Sequence, residues 1–405
     1  MSVLSGKKIV LGISGGIAAY KTATLVRLFI KAGAHVQVIM TPASKDFITP
    51  LTLSTLSKNP VYSTFYNEDD ENAQWNNHVE LGLWADFMLI APATANTLSK
   101  MANGNCDNLL IATYLSAKCP VYFAPAMDLD MYKHPSTMTS LKALQEFGNI
   151  MIPAESGELA SGLSGEGRMA EPESILAFLK KDIESKLPLR GKKILITAGP
   201  TYEAIDPVRF IGNHSSGKMG FDIANCAANL GAEVTLISGP THLKPANSSI
   251  NLVRVVSAQD MFDACHQYYE TCNVAICAAA VADYKPKQVA EQKIKKSEVE
   301  FSIELEKTKD ILASLGKIKK NQYLIGFALE TENEIENAKL KIQKKNLDLI
   351  VLNSLRDEGA GFGKSTNKVT FISNDFAIEP QALKSKEEVA NDIVNKIISY
   401  YEKDI

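Results

Sequence analysis

The chain has 405 residues, 45% of them hydrophobic and 22% charged, with a formal net charge of -3. That length exceeds what one hydrophobic core ordinarily serves, so two domains of about 200 residues are expected. The balance is that of a soluble globular protein; it excludes a nucleic-acid binder held by a basic surface, and no apolar run approaches membrane-spanning length.

The run IVLGI after Lys7 and Lys8 is too short for a signal segment, so a cytoplasmic protein is expected. It reads as a strand running into the glycine turn GISGGIAAY (Gly12 to Tyr20), which opens a helix predicted over 17–32. Backbone N–H groups in such a turn can hold a phosphate, and Gly12, Ser14, Gly15 and Gly16 are the candidate cradle. The turn does not read G-x-G-x-x-G. The next strand, HVQVIM, is followed by Thr41 and Pro42, where a dinucleotide fold places an acid for the ribose. A mononucleotide with a terminal phosphate fits better, and Thr41 joins its candidate ligands. His78 stands in the polar stretch QWNNHVEL ahead of Asp86. The strand ADFMLIA ends in APATANT (Ala91 to Thr97), and NGNCDNLL follows within a helical pattern over 94–116. Here Ala91, Pro92, Thr94 and Asn96 offer small side chains, a hydroxyl and an amide against which a flat ring could lie. A strand at PVYFAPAM and a helix over 134–147 come next, then the glycines Gly157, Gly162, Gly165 and Gly167 around Ser161, which read as a flap able to close over substrate.

A helix from Pro172 to Lys186 leads into ESKLPLRG (Glu184 to Gly191), a polar linker with Pro188, and divides the chain into domains 1–187 and 188–405. The second half repeats the grammar of the first: KKILITAGP follows the same order of basic doublet, β-branched strand and glycine turn as KKIVLGISGG. The loop DPVRFIGNHSSGKMG (Asp206 to Gly220) then nearly matches the phosphate-loop pattern, but Met219 stands where Ser or Thr should hold magnesium, so another anion-binding geometry is expected. Strands at AEVTLIS, NVAICAAA, YLIGFA and LDLIVLN alternate with helices near 217–230, 258–271, 308–319 and 332–345. The whole pattern predicts an α/β protein of two Rossmann-like three-layer domains with mainly parallel sheets and crevices at the strand C-termini. The cysteines Cys106, Cys119, Cys226, Cys265, Cys272 and Cys277 form no C-x-x-C pair and are expected to be reduced thiols.

Several long motifs in register resemble a known family. GISGGIAAYK, FITPL, His78, APATANT, PAMDLDMY and GRM resemble the flavoprotein phosphopantothenoylcysteine decarboxylases, while ITAGPT, DPVRFIGNHSSGKMG, AAAVADYKP, KIKK and KKNLDLI resemble phosphopantothenate-cysteine ligase. In this order they resemble the bifunctional coenzyme A biosynthesis enzymes of bacteria. For the second domain the resemblance implies activation of 4'-phosphopantothenate by CTP with magnesium, and capture of the acyl-cytidylate by cysteine. It implies Lys293 as the triphosphate lysine and Asn213 as the amide that holds the acyl-cytidylate. Cys277, Ala278, Ala279, Ala280, Asp283, Lys309, Asp310, Ile311, Leu312, Phe327, Lys341 and Lys345 are implied as further CTP and substrate contacts; no magnesium ligands are assigned.

For the first domain the resemblance implies FMN, oxidation of the cysteinyl thiol to a thioaldehyde, loss of carbon dioxide and return of the electrons, with His78 as base. Two positions depart from the commonest family pattern: Asp128 stands for an Asn in P-A-M-N, and Ser161 for a Cys in A-C-G. A carboxylate at 128 must be protonated or placed differently to avoid repelling the substrate carboxylate. The resemblance further implies decarboxylase trimers, ligase dimers and a dodecamer. The alternatives are a flavin domain that stops at the enethiol, which the fused ligase argues against, and a flavin-binding regulatory subunit, whose long acidic tail this chain lacks.

Overall fold

Short β-branched runs flanked by glycine turns pair in parallel when helices cover both their faces, and both halves of this chain do so. The computed structural model describes residues 2–66, 75–158, 162, 164–295, 302–330, 332–354 and 364–402. Contacts divide the chain into two units, Ser2–Ser185 and Lys186–Ile405.

The first unit contains β1 (Lys8–Ile13), α1 (Thr22–Lys31), β2 (His35–Met40), α2 (Pro50–Ser57), β3 (Val61–Tyr62) and α3 (His78–Trp84). It continues through β4 (Phe87–Ala93), α4 (Ala95–Asn103), α5 (Leu109–Ser116), β5 (Val121–Pro125), α6 (Leu129–Lys133), α7 (Pro135–Glu146) and β6 (Ile150–Met151). It closes with β7 (Glu155–Glu158), β8 (Ser164–Arg168) and α8 (Pro172–Ser185). The six-stranded sheet has the order β3-β2-β1-β4-β5-β6, every pair parallel. Alternate residues of β1 face opposite layers: Ile9, Leu11 and Ile13 join Leu25, Phe29, Ile175 and Leu179, while Val10 joins Leu98, Met101, Leu110 and Leu144. The helix predicted over 94–116 is two helices, because Gly104 leaves α4 in the left-handed region (φ +68) and Asn108 starts α5 by accepting the Ile111 N–H at 3.1 Å.

The second unit runs β9 (Lys193–Ala198), β10 (Tyr202–Ala204), β11 (Phe210–Gly212), α9 (Lys218–Asn229), β12 (Glu233–Ser238), β13 (Asn251–Arg254), α10 (Ala258–Tyr269) and β14 (Val274–Cys277). Then come β15 (Tyr284–Pro286), β16 (Leu305–Lys307), α11 (Ile311–Ile318), β17 (Tyr323–Glu330), α12 (Glu334–Lys345) and β18 (Leu349–Ser354). The chain ends in β19 (Thr366–Asn367), β20 (Val369–Ser373), β21 (Ile378–Pro380), β22 (Lys384–Ser385) and α13 (Lys386–Glu402). Its main sheet has the order β13-β12-β9-β14-β17-β18-β20-β21; pairs from β13 to β18 are parallel and the last two antiparallel. Helices α9 and α13 cover one face, where Phe221, Ala224, Val389 and Ile393 meet Ile194 and Ile196. Helices α10, α11 and α12 cover the other, where Met261, Leu315 and Ile342 meet Leu195 and Leu324.

Both sheets therefore have the doubly wound order. In each, the order reverses beside the first strand, between β1 and β4 and between β9 and β14. Crossovers leave these two strands in opposite directions, so a crevice opens at their C-terminal ends.

Candidate functional site

In the first unit three turns converge on that crevice. Ser14, 1% exposed, is their clamp: its hydroxyl donates to the Pro92 carbonyl at 2.6 Å and accepts from the Thr94 N–H at 3.0 Å. The glycines after it are required by proximity, since a Cβ on Gly15 would stand 2.8 Å from Ala43 Cβ and one on Gly16 would stand 3.1 Å from Thr94 Cγ2. The resulting cavity, about 970 Å³, is lined by Gly15, Gly16, Thr41, Thr94, Asn96 and Asp128. Gly12, Ser14, Ala91 and Pro92 lie beneath it, in or just after the strands, and shape it without lining it.

Thr41 Oγ1 is buried at the crevice with no hydrogen-bond partner in the protein, an arrangement that costs stability unless a ligand completes it. The residues fit a flavin mononucleotide on that ground: tight glycine turns for a phosphate, an orphaned hydroxyl, and a cavity within the size range of cofactor sites. Opposite the turns, Asp128 caps α6, its Oδ1 accepting the Leu129 N–H at 2.6 Å. The β7–β8 hairpin contributes Glu158, Gly167 and Arg168 to the wall. The Gly167 carbonyl (φ +143) accepts the Met127 N–H at 3.0 Å, and a Cβ on Gly167 would stand 2.6 Å from the Met127 carbonyl. Ser161, between the two strands, lies outside the described residues.

Sequence reasoning missed Lys21, which is 6% exposed and lines the cavity. Its Nζ donates to the Met169 carbonyl at 3.0 Å and to Glu171 Oε1 at 2.9 Å, and Arg168 pairs with the same oxygen. These cations, Lys21 first, hold the Glu171 carboxyl below the usual range. Only the position of Lys21 in GISGGIAAYK, one turn beyond the glycines, could have hinted at it.

Within one chain His78 stands apart from the cavity. It opens α3 but does not line the cavity: its ring stands edge-on to Phe65 at 6.0 Å, and Nδ1 is buried without a partner. The reason is packing: Gly82 of α3 lies against the Ser116 carbonyl at the C-terminal end of α5, whereas the cavity takes Asn108 at the other end.

In the second unit a cavity of about 750 Å³ gathers Asn213, Cys277, Ala278, Ala279, Ala280, Asp283, Lys309, Asp310, Ile311, Leu312, Phe327 and Lys345. Asn213 is pinned by donating its amide to the Ala280 and Val281 carbonyls at 3.0 and 3.2 Å, which leaves its Oδ1 for a ligand. Helix α9 approaches β9 so closely that a Cβ on Gly220 would stand 2.6 Å from Ala198 Cβ, and Gly217 (φ +81) turns the chain into it against Gly199. Asp310 caps α11, accepting the Ala313 N–H at 2.9 Å, and pairs with Lys345 at 2.8 Å. Lys309 Nζ lies 4.6 Å from the Phe262 ring centre. Burial pushes the Cys277 thiol up to about 12, so it lines the pocket as a protonated, inert group.

Two expected contacts are not brought there. Lys341 pairs with Glu330 at the end of β17 instead, and Lys293 is exposed and outside the cavity lining. Lys293 is nonetheless held near the loop of Asp206, because Ile294 donates its N–H to Asp206 Oδ2 at 3.1 Å and accepts from Arg209 at 3.1 Å. The lining residues Lys218 and Lys386 were not singled out from sequence. Among the described residues no group of three His, Cys, Asp or Glu side chains could hold a metal ion, and no helix is long and apolar enough to cross a membrane.

Two family models match the chain: Flavoprotein over residues 2–184, and DNA/pantothenate metabolism flavoprotein C-terminal domain over 189–401. A protein of an unknown prokaryotic organism named Cysteine/Cysteine sulfinic acid decarboxylase is 55% identical over 358 residues, 87% of this chain and 99% of that one. The Coenzyme A biosynthesis bifunctional protein CoaBC of Bacillus subtilis is 43% identical over 397 residues, 98% of this chain and 97% of its own. That of Haemophilus influenzae is 45% identical over 402 residues, 99% of each.

Proposed function

We propose, from the premise that this chain belongs to the family of bifunctional coenzyme A biosynthesis proteins, that its second unit joins cysteine to 4'-phosphopantothenate with CTP and its first unit decarboxylates the product with FMN. The observation that carries the reading is that one chain holds two crevices of different chemistry, each where its strand order reverses.

In the second unit the substrate carboxylate oxygen attacks the α-phosphorus of CTP and pyrophosphate leaves, with magnesium arriving on the nucleotide. The cysteine amine then displaces CMP from the acyl-cytidylate, forming the amide and releasing a proton. Lys309 and Lys345 supply positive charge on the nucleotide side, Lys345 steered by Asp310. Asn213 Oδ1 accepts from the attacking amine, its amide group being held by the two carbonyls. Lys293 and Lys341 complete the triphosphate contacts, Lys293 from the loop tethered to Asp206 and Arg209.

FMN, when bound in the first unit, supplies the two-electron oxidation and reduction that decarboxylation of an N-acylated cysteine requires. The protein's part is placement. The turns clamped by Ser14 admit the phosphate, Thr41 gives its hydroxyl, Asp128 and the β7–β8 hairpin face the substrate, and the hairpin excludes water. His78 acts as base from a second copy of the chain, in trimers of the first unit; dimers of the second unit complete a dodecamer. The protein works in the cytoplasm.

Purified protein incubated with 4'-phosphopantothenate, cysteine, CTP and magnesium is expected to yield 4'-phosphopantetheine, identified by mass. A main product two hydrogens lighter under anaerobic conditions shows a reaction that stops at the enethiol. A second reading has a specific observation behind it: the relative at 55% identity is named for free cysteine, and the Asp128 carboxylate at the cavity wall could pair with a free α-ammonium that phosphopantothenoylcysteine lacks. Release of carbon dioxide from cysteine without CTP or phosphopantothenate decides it.

A further inference from the structure

Two residues of the second unit's site stand on separate arms of the chain. Asn213 follows β11, the return strand of the β10–β11 hairpin, and Lys293 lies in the stretch that leaves β15. The arms meet at the hairpin tip, around one carboxylate. Asp206 is 2% exposed, and its Oδ1 accepts the Val208 and Arg209 N–H groups, both at 2.8 Å, closing the turn from within. Its Oδ2 reaches outward. It accepts Arg209 Nε and Nη2 at 3.0 and 2.6 Å and the Ile294 N–H at 3.1 Å. Arg209 Nη2 also donates to the Ile294 carbonyl at 3.1 Å, so the residue next to Lys293 is gripped at both its N–H and its carbonyl. The Ala290 N–H, given to the Ile205 carbonyl at 3.0 Å, ties the same arm to the same hairpin a second time.

The turn by itself does not call for a buried charge, since an Asn could cap it through one neutral and weaker oxygen. That Asn would then present its NH2 to the guanidinium and to the Ile294 N–H, donor against donor. The carboxylate is therefore accounted for by the arm. What it steadies is the backbone beside Lys293, whose side chain is exposed and has no partner among the described residues. Holding that backbone in advance lowers the cost of ordering the ammonium on a ligand. We propose that Asp206 is a positioning residue of the ligation site: it ties the arm bearing Lys293 to the hairpin whose return strand ends at Asn213, so that the two are presented together. The assignment rests on the ligase reading above. Asp206 is buried and outside the cavity lining, so it acts through Lys293 and touches no substrate.

The test is a double-mutant cycle on the full-length protein, read by calorimetric titration with CTP and magnesium in the absence of the acyl substrate. Asp206→Asn is expected to weaken CTP binding roughly tenfold, the worth of a charge-assisted hydrogen bond, and to change nothing further in a Lys293→Gln chain. Arg209→Lys keeps a cation on Asp206 but loses the fork that reaches the Ile294 carbonyl, and at a partly exposed position it spares the fold. It should give a smaller loss, again only where Lys293 is present. Hydrogen exchange at the Ile294 amide should quicken in both variants. In ligation, KM for CTP should rise while KM for cysteine stays within about twofold. Equal weakening of CTP with and without Lys293 marks a structural role and overturns the proposal. So does quicker exchange at Ile294 with CTP affinity unchanged. A wild type that binds CTP but never ligates sinks the ligase reading instead, while the cycle still reports whether Asp206 acts through Lys293.

Discussion

Single side chains set both crevices. Thr41→Val removes an orphaned buried hydroxyl, so it is expected to leave stability unchanged or slightly raised while FMN dissociation, followed by flavin fluorescence, becomes several-fold easier, the worth of about 1 kcal/mol. Gly15→Ala forces a Cβ against Ala43 and is expected to yield colourless protein, checked by the visible absorbance of the purified chain. Asp206 acts by charge. The Arg209 guanidinium first, then the Val208, Arg209 and Ile294 N–H groups, hold its carboxyl well below the usual aspartate range. A lowered folded value means its contribution is complete above the unfolded value of about 3.9 and fades as the pH falls below it. Asp206→Asn is therefore expected to speed hydrogen exchange at the Val208 and Arg209 amides at pH 7, with the difference from wild type narrowing below pH about 4. An equal difference at pH 3 would show that the shape of the loop, not the charge, holds it.

At the scale of elements, approach distance and hairpin anchoring matter most. Helix α9 can deliver Lys218 and Met219 to the cavity, and the turn before it Ser216, only because Gly220 lets the helix touch β9. Gly220→Val is expected to cost about 1–3 kcal/mol and to abolish ligation, while flavin binding in the first unit persists. Circular dichroism melts and the flavin spectrum, taken on one sample, check both halves of that statement. The β7–β8 hairpin depends on Lys21, which ties its base at Met169 and Glu171 to the turn that follows the phosphate cradle. Lys21→Met leaves Glu171 with Arg168 alone. Since Glu171 is partly exposed, the expected loss is about 1–2 kcal/mol, with proteolytic nicking appearing first in the hairpin.

For the whole molecule, the division of labour is the prediction. Lys293→Gln is expected to stop ligation and spare decarboxylation of supplied phosphopantothenoylcysteine. His78→Asn is expected to do the reverse, with the carboxylated intermediate accumulating in the mass spectrum. If either substitution removes both activities from a folded protein, the assignment of one reaction to each unit is wrong. Mixing His78→Asn chains with Asp128→Ala chains tests whether the base is shared between copies: recovery of decarboxylation above either parent requires it. Light scattering of the same mixture should show the multimer, and a monomer would remove the ground for that sharing.

Much of this was legible in the chain. Runs such as KIVLGI and KILITA have the β-branched, two-sided apolarity of buried parallel strands, and the glycines after them mark turns that only small residues allow. Those signals are local, so the sequence alone determined two doubly wound units and the loops that bear their crevices. What only the tertiary structure decided depends on partners far along the chain. Lys21 meets Glu171, and Lys386 shares a cavity with Lys218, across more than a hundred residues in each case. A lysine in a polar stretch reads as solvated until its neighbours are known. His78 shows the converse: its motif suggested a place in the crevice, but the packing of α3 against the far end of α5 sets it elsewhere within one chain. Periodicity reports which face of an element is apolar; which charged side chains the closing of that face will bury is fixed only when the helices pack.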